Sequence, residues 1–500
     1  MRGCFPATLI AMTGHSEFEA LEAALPDMAR SFVADQTAPH CLVVVPSMTF
    51  NQELLRNVVG VEHYEERMLA MLLQLHTPQI HVVFCSSATI SEEIVEYYLS
   101  LIPGVPMSHS RPRLTMVSCD DLSPRPLTEK LLERPGCLRR IHDELARSKA
   151  GAIVCMNTTD LERKLAVELG IPLLGNPPDL DYLGSKSGSR ESFREAGIDL
   201  PAGFEHLRSM DEVVEALAAL KREHPDVHTG VVKLEEGFSG EGNALYRYEH
   251  GEDEQAIRAA LPQHLKFQAP AETYDSFSSR FEHMGGIVEE FVDGVTASPS
   301  GQGYIGPMGT LRALSTHDQL LGGADGQVFE GSTFPAAERY RRRVQDDMMR
   351  VGEVLQARGA RGRFAVDFVE AGDRLCAIEI NLRKGGTTHP MLTMAVITEG
   401  HYDPVTGVFR SGNGTEKCYY ATDNLRADEY RGIMVSELLD AAINKRLMFD
   451  PVTERGCVFH MLGALSEYGK VGVTCIADTL EDAITDYRAV VDMMGELGAQ

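Results

Sequence analysis

Arg363-Phe-Ala-Val-Asp367-Phe-Val-Glu-Ala-Gly372-Asp-Arg-Leu-Cys-Ala-Ile-Glu379-Ile-Asn381-Leu-Arg383 is the stretch that decides how this chain is read. Apolar and polar residues alternate on both sides of Ala371-Gly372-Asp373, the pattern of two strands joined in a hairpin. Glu379 and Asn381 stand two apart on the second strand and share a face, while Ile378 and Ile380 face the other way. Asp367 joins that face only if the turn holds an odd number of residues. A three-residue turn at 371–373, with Gly372 in its left-handed position, meets the condition. Asp367 is then a diagonal neighbour of Glu379, about 7–8 Å away between backbones. An even turn without a bulge sends Asp367 to the opposite face. Two carboxylates and an amide oxygen are ligands that Mg²⁺ takes while it also holds nucleotide phosphates. The competing reading, a hairpin with a solvated polar face, gives no reason for a glutamate between two isoleucines followed by Asn and Arg at alternate positions.

Upstream, Val231-Val-Lys233-Leu-Glu-Glu-Gly237-Phe-Ser239-Gly240-Glu-Gly242 places a lysine at the end of a strand, ahead of a loop with three glycines. Such a lysine aims a fixed charge at a phosphate, and the loop can offer backbone N–H groups to it. Glycine loops are mostly structural, and the Walker A order of glycines before lysine is absent here. Lys186, just ahead of a helix, is a second phosphate candidate, although a solvated lysine is the ordinary reading there. Glu289-Glu290-Phe291-Val292 ends a strand whose backbone could pair with adenine, with Phe291 and Val292 as apolar walls.

Further out, residues 1–180 alternate buried-strand runs (Leu42–Val45, Ile80–Cys85, Leu114–Val117, Ala152–Met156) with helical stretches at Ser91–Leu101 and Leu127–Arg147. That succession predicts a doubly wound, Rossmann-like parallel sheet, punctuated after Asn176-Pro-Pro-Asp179. Residues 181–260 and 261–397 read as two α+β lobes, the second carrying the hairpin, and 398–500 as an α+β extension. The chain is thus expected to be a multidomain α/β and α+β protein. The 500 residues exceed what one hydrophobic core supports.

Lys and Arg number 47 against 73 Asp and Glu, a net charge of −26. A surface that acidic repels phosphate backbones and anionic lipid, so neither nucleic acid nor membrane is an expected partner. Ten cysteines form no C-x-x-C pair and no cluster with zinc-ligand spacing. Together with the absence of a secretory-type leader pattern, they predict a cytoplasmic protein.

The order of the five elements, Lys186, Lys233 with its glycine loop, Glu289–Val292, Asp367, and Glu379-x-Asn381-x-Arg383, resembles the ATP-grasp superfamily over roughly residues 150 to 395. The resemblance implies ATP held between two lobes. Lys186 and Lys233 would contact phosphates, the loop Glu236–Gly242 would fold over them, Glu289–Val292 would cradle adenine, and Asp367, Glu379 and Asn381 would bind two Mg²⁺. Thr296 stands where many members carry an acid for the ribose hydroxyls, which leaves the ribose contact unassigned.

Val43-Val-Val-Pro-Ser47-Met-Thr-Phe-Asn51, Glu62-His-Tyr-Glu-Glu-Arg67 and Asn381-Leu-Arg-Lys-Gly-Gly-Thr387-Thr388-His389-Pro390 further resemble the peptide ligases of the pheganomycin type. That resemblance implies an ATP-dependent carboxylate–amine ligase of natural-product biosynthesis, which forms an acyl phosphate and passes the acyl group to an amino acid or peptide. Ser47 and Asn51 would lie near the donor acid, although such residues are more often turn formers. Thr387, Thr388 and His389 would border the acceptor, with His389 in a loop ahead of a proline. Arg383 would stabilise the tetrahedral oxyanion. A free α-amine titrates near pH 8, so the sequence demands no dedicated base. Residues 398–500 carry no chemical motif and are left to cap the site or to join subunits of a homo-oligomer, with Lys470 read as a solvated turn lysine. An ATP-grasp kinase or carboxylase, or a non-catalytic nucleotide-binding regulator, are the alternatives.

Overall fold

The structure is a computed structural model and describes residues 7–35, 37–49, 55, 58–237, 242–268, 272–322 and 328–499. The strands His40–Val45, Ile80–Ser86, Leu114–Ser118 and Ala150–Cys155 form one parallel sheet in the order third, second, first, fourth. Three are mostly buried apolar runs, as a sheet covered on both faces requires, while the edge strand Leu114–Ser118 buries only Leu114 and Val117. One face packs on the helices Pro135–Leu145 and Asp160–Leu169 through Leu138, Ile141 and Leu165. The other packs on the 3₁₀ segment Val61–His76 and the helix Glu92–Ser100 through Leu69, Leu72 and Tyr98. The single helix expected over 127–147 is two, Leu127–Leu132 and Pro135–Leu145. Arg134, held extended ahead of Pro135, separates them.

A second, antiparallel sheet runs Gly203–Leu207, Gly286–Glu290, Thr229–Leu234, Asn243–Arg247, Lys266–Phe267. The strand Gly286–Glu290 therefore belongs with the smaller lobe, between two of its strands, and the division drawn at residue 260 moves past residue 290. The sequence hid this because the partner strands are separated from Gly286–Glu290 by two helices, Glu254–His264 and Tyr274–Met284.

The third sheet has ten strands. The hairpin Gly362–Ala371/Arg374–Asn381 forms its edge, followed by Pro299–Ile305, Leu311–Gly322, Val328–Phe334 and Glu416–Arg426. Beyond Glu416–Arg426 it branches to Val408–Arg410 and His401–Asp403 on one side and to Lys470–Ala477 and Gly456–His460 on the other. The extension after residue 398 thus continues the sheet of the second lobe. Val344, Met348, Val351 and Leu355 of the helix Glu338–Ala357 pack on Phe364, Val366, Phe368 and Ile380 beneath the hairpin. One apolar cluster joins the 61–76 segment to the C-terminal strands, with Leu69, Leu72 and Tyr98 alongside Tyr419, Phe459 and Val471. Among the described residues no helix is long and apolar enough to cross a membrane.

Candidate active site

The hairpin turns through two residues, Gly372 and Asp373, with Gly372 at φ +59°. This replaces the expected three-residue turn. Parity is restored by a β-bulge: Phe368 pairs with Ala377 and Asp367 with Glu379, so Ile378 is the extra residue. Asp367 is therefore directly opposite Glu379 rather than diagonal, which brings the carboxylates closer than the turn alone would. The Asn381 side-chain amide donates to Asp367 Oδ2 at 2.9 Å, and that of Gln319 to Asp367 Oδ1 at 2.8 Å. Burial, then the neighbouring Glu379, push Asp367 up to about 6. Burial acts the same way on Glu379, but Lys186, Arg383 and Lys233 outweigh it and hold that carboxyl below its ordinary value.

Two half-buried carboxylates in mutual repulsion, with an amide beside them, fit a hard divalent cation. Among the described residues no group of three or more His, Cys, Asp or Glu side chains could hold a metal. Two carboxylates and an amide suit an ion that fills the rest of its shell with phosphate oxygens and water.

Lys186 opens the helix Lys186–Ala196, and its amine lies 2.7 Å from Glu379 Oε2. Its place is fixed from both sides. Ser185 caps the helix by accepting from the Gly188 N–H at 3.1 Å. The Glu235 carboxylate accepts from Ser185 Oγ at 2.8 Å and from the Ser187 N–H at 3.0 Å. An anion there also complements the helix dipole. Gly188 allows the helix to sit against the 178–184 turn, since a Cβ at that position would lie 2.0 Å from the Tyr182 carbonyl oxygen.

Lys233 lies 2.5 Å from Glu289 Oε1, and Arg190 lies 2.9 Å from Glu289 Oε2. Glu289 is thus an interior counter-ion for two cations. The backbone expected to face a base is also in use: the Glu290 N–H donates to the Ala202 carbonyl at 2.8 Å and the Phe291 N–H to that of Thr229 at 2.9 Å. Those two donors are taken because the strand is interior, which corrects the expectation that its backbone is open to pair with adenine. Glu290 pairs with Arg374 of the hairpin at 2.5 Å. Phe291 is exposed and Val292 buried. Gly237 and Gly242, the latter at φ +91°, bracket the glycine loop, and the Gly242 carbonyl accepts from the Leu234 N–H at 2.9 Å. Ser239, Gly240 and Asn51 lie outside the described residues.

Past the hairpin the chain crosses to the first sheet. The Lys384 N–H donates to the Met156 carbonyl at 3.1 Å and its amine to that of Cys155 at 2.5 Å, at the carboxyl end of Ala150–Cys155. Burial lowers Lys384 to about 8. Arg383 is half-buried, with Glu379, Asp367, Arg67 and Asp181 in electrostatic reach. Thr387 accepts from the Gln302 amide, and Thr388 Oγ1 from the Gly385 N–H at 3.0 Å. His389 sits in the first turn of the helix Thr388–Ile397, not in a loop, with Pro390 beside it where no intrahelical N–H is needed. Its Nε2 is 3.1 Å from Asp423 Oδ1, and Arg67 Nη2 is 2.8 Å from Asp423 Oδ2.

Two other expectations fail. Ser47 is fully buried and accepts from the Thr128 N–H at 3.2 Å, a packing role that removes it from any open donor pocket. Lys470 is buried, donating to Tyr64 Oη at 2.8 Å and the Val59 carbonyl at 3.1 Å, because the C-terminal strands dock on the 61–76 segment. Sequence reading missed Arg190, Glu235, Arg67 and Asp423. Arg190 had a usable signal, lying one helical turn after Lys186 on the same face. Asp423 had none, since its partners His389 and Arg67 lie 34 and several hundred residues away on other elements.

Residues 178–253 match the family described as IQCH-like ATP-grasp, and residues 437–490 match the PGM1 C-terminal domain. A relative from Streptantibioticus cattleyicolor, L-propargylglycine–L-glutamate ligase, is 32% identical over 453 residues, covering 88% of this chain and 91% of its own. Among solved structures, a Campylobacter jejuni biotin carboxylase in complex with an ATP analogue superposes at a TM-score of 0.55, with 13% identity over 93% of this chain and 94% of that one. A Hydrogenobacter thermophilus biotin carboxylase domain dimer in complex with MgADP superposes at 0.54, with 13% identity over 91% of this chain and 90% of that one. At such identities the two structures share the fold alone. The curated relative carries the family: this chain belongs to the ATP-grasp carboxylate–amine ligases of the pheganomycin type, enzymes that use ATP to form C–N bonds with release of ADP and phosphate.

Proposed function

We propose that this enzyme activates the carboxylate of an amino acid as an acyl phosphate and transfers the acyl group to the amine of an amino acid or peptide, in the biosynthesis of a small peptide natural product. The observation that carries the reading is the Asp367–Glu379 pair with the Lys186 amine 2.7 Å from Glu379. Asp367, Glu379 and Asn381 would hold two Mg²⁺, which when bound neutralise charge on the nucleotide phosphates. Lys186 and Lys233 are paired with carboxylates in this structure. Lys186 is placed to exchange the Glu379 carboxylate for a phosphate oxygen once cations take over Glu379, while Lys233 keeps Glu289 as its counter-ion.

Gly237, Ser239, Gly240 and Gly242 would cover the phosphates, and Glu290, Phe291 and Val292 would line the adenine side, with Glu289 tensioning Lys233 from behind. Attack of the donor carboxylate on the γ-phosphate gives the acyl phosphate and ADP. Attack of the amine on the acyl carbon gives the amide and phosphate. Arg383 would face the oxyanion of the second step, where a half-buried, preorganised guanidinium is worth more than in water. Lys384, anchored at the strand end of the first domain, supports a donor site at that junction, where doubly wound sheets take ligands.

ADP release across a panel of amino acid pairs tests the reading, beginning with L-propargylglycine and L-glutamate, the substrates in the relative's name. Hydroxylamine added with ATP and an active donor should yield a hydroxamate. Absence of hydroxamate with every donor that stimulates ADP release would sink the acyl-phosphate step.

A further inference from the structure

Behind the segment Arg383–His389 lies a buried polar cluster drawn from four parts of the chain. Arg67 comes from the 61–76 segment, His389 from the helix Thr388–Ile397, Asp423 from the strand Glu416–Arg426, and His460 from the strand Gly456–His460. His389 is 4% exposed. The carboxylate of Asp423 can only accept a hydrogen bond, and the Arg67 guanidinium, with the hydrogen bond from His389, outweighs burial to hold it well below the usual range. The 3.1 Å contact to His389 Nε2 therefore fixes the proton on Nε2 and the lone pair on Nδ1.

That Nδ1 has no hydrogen-bond partner among the described residues, and neither has Arg67 Nε. Asp423 Oδ2 has the Arg67 charge at 2.8 Å but no aligned hydrogen bond. Buried polar groups are nearly always paired, so three such atoms in one cluster point to a polar partner that arrives from outside. Space exists for one. A cavity of about 20 Å³ is lined by Arg67, Met71, Met156, Lys384, Thr388 and His389, enough for a single amine-sized group. Lys384 and Thr388 tie this cavity to the segment that carries Arg383, and Arg67 and Arg383 are in electrostatic reach of each other.

We propose that His389, oriented by Asp423, is the base that takes the proton from the acceptor amine. The inference rests on the ligase reading. The amine nitrogen bonds to the acyl carbon, the carbon–oxygen bond to phosphate breaks, and phosphate leaves with the electron pair. The proton shed by the nitrogen passes to His389 Nδ1 and returns to solvent. The charged and titratable groups around the imidazole are Arg67, Lys384, Asp423 and His460, whose ring stands perpendicular at 4.7 Å. Burial holds His460 neutral at pH 7, and Asp423 offsets Arg67. Asp423 acts as a positioning residue.

The test measures two products from one acyl phosphate in the full-length enzyme, the amide from the best acceptor and the hydroxamate from hydroxylamine, which is unprotonated at neutral pH and needs no base. In His389→Gln and in Asp423→Asn the amide-to-hydroxamate ratio at pH 7 should fall about 100-fold. It should recover as pH rises past the amine's own titration near 8, and in part with added imidazole. An unchanged ratio, or equal loss of both products, overturns the proposal and leaves His389 a packing residue. If His389→Gln does not fold, the wild-type ratio from pH 5 to 9 decides. A plateau reached below the amine's titration supports the base, and a ratio that follows that titration overturns it. Wild-type enzyme that makes no hydroxamate with any donor would refute the ligase reading instead.

Discussion

The Lys186 amine and the Glu379 carboxylate, 2.7 Å apart, join the helix Lys186–Ala196 to the hairpin and seat a lysine charge beside the facing carboxylates. Glu379→Ala removes one of two facing carboxylates and the partner of Lys186. ADP release should fall about 10³-fold, a loss of about 4 kcal/mol of transition-state stabilisation. Steady-state turnover at saturating Mg²⁺ measures it, and unchanged turnover would refute the metal assignment.

Gly188→Ala places a methyl where the Tyr182 carbonyl oxygen would be 2.0 Å away. The helix start must shift, and Lys186 with it. Overpacking of this kind costs about 1–3 kcal/mol. A lower urea midpoint together with a raised KM for ATP is the expected signature, and a normal KM would show that Lys186 does not depend on this contact.

Glu289 is the shared counter-ion of Lys233 and Arg190, all three buried. Glu289→Gln leaves Lys233 without its anion and Arg190 with Glu205 alone, which in an interior costs about 3–5 kcal/mol. Chemical denaturation at constant m-value reads the loss. A variant as stable as the parent would mean that water reaches this pair.

Burial lowers Lys470 to about 8 from its ordinary value of 10.5. Below pH 8 it is charged in both states and its desolvation opposes folding in full. Between pH 8 and 10.5 the unfolded chain binds more protons, so folding stability rises with pH across that window. The Lys470→Met variant lacks this term. The stability of wild type relative to the variant should therefore climb by up to about 3 kcal/mol between pH 8 and 10.5. Urea titrations at half-unit pH steps would show it, and a flat difference would place the amine in water.

Local pattern carried much of this architecture. The four parallel strands were legible as aliphatic runs, and Glu379 and Asn381 as a pair on one strand face. Parity also showed that Asp367 could join them only through an odd residue somewhere. It did not show where, because a bulge at Ile378 and a longer turn solve the same counting problem. The strand Gly286–Glu290 was legible as a strand but not as an interior one, because the strands that flank it lie 50 or more residues away. Ser47 and Lys470 were misread for a related reason: their burial is set by Thr128 and by the 61–76 segment, partners that neighbouring residues do not announce.

The Gly463 N–H donates to Glu66 at 2.9 Å across 397 residues of chain, and Lys470 reaches Tyr64 across 406. On a ribosome, the 61–76 segment is made early and waits for the final strands before these groups find their partners. Meanwhile the branch strand Lys470–Ala477 is missing from the central sheet, and Glu416–Arg426 shows an open edge. The sheet thus stays unfinished until residues 470–477 have emerged, and in that interval Glu416–Arg426 is the strand that another chain could pair with.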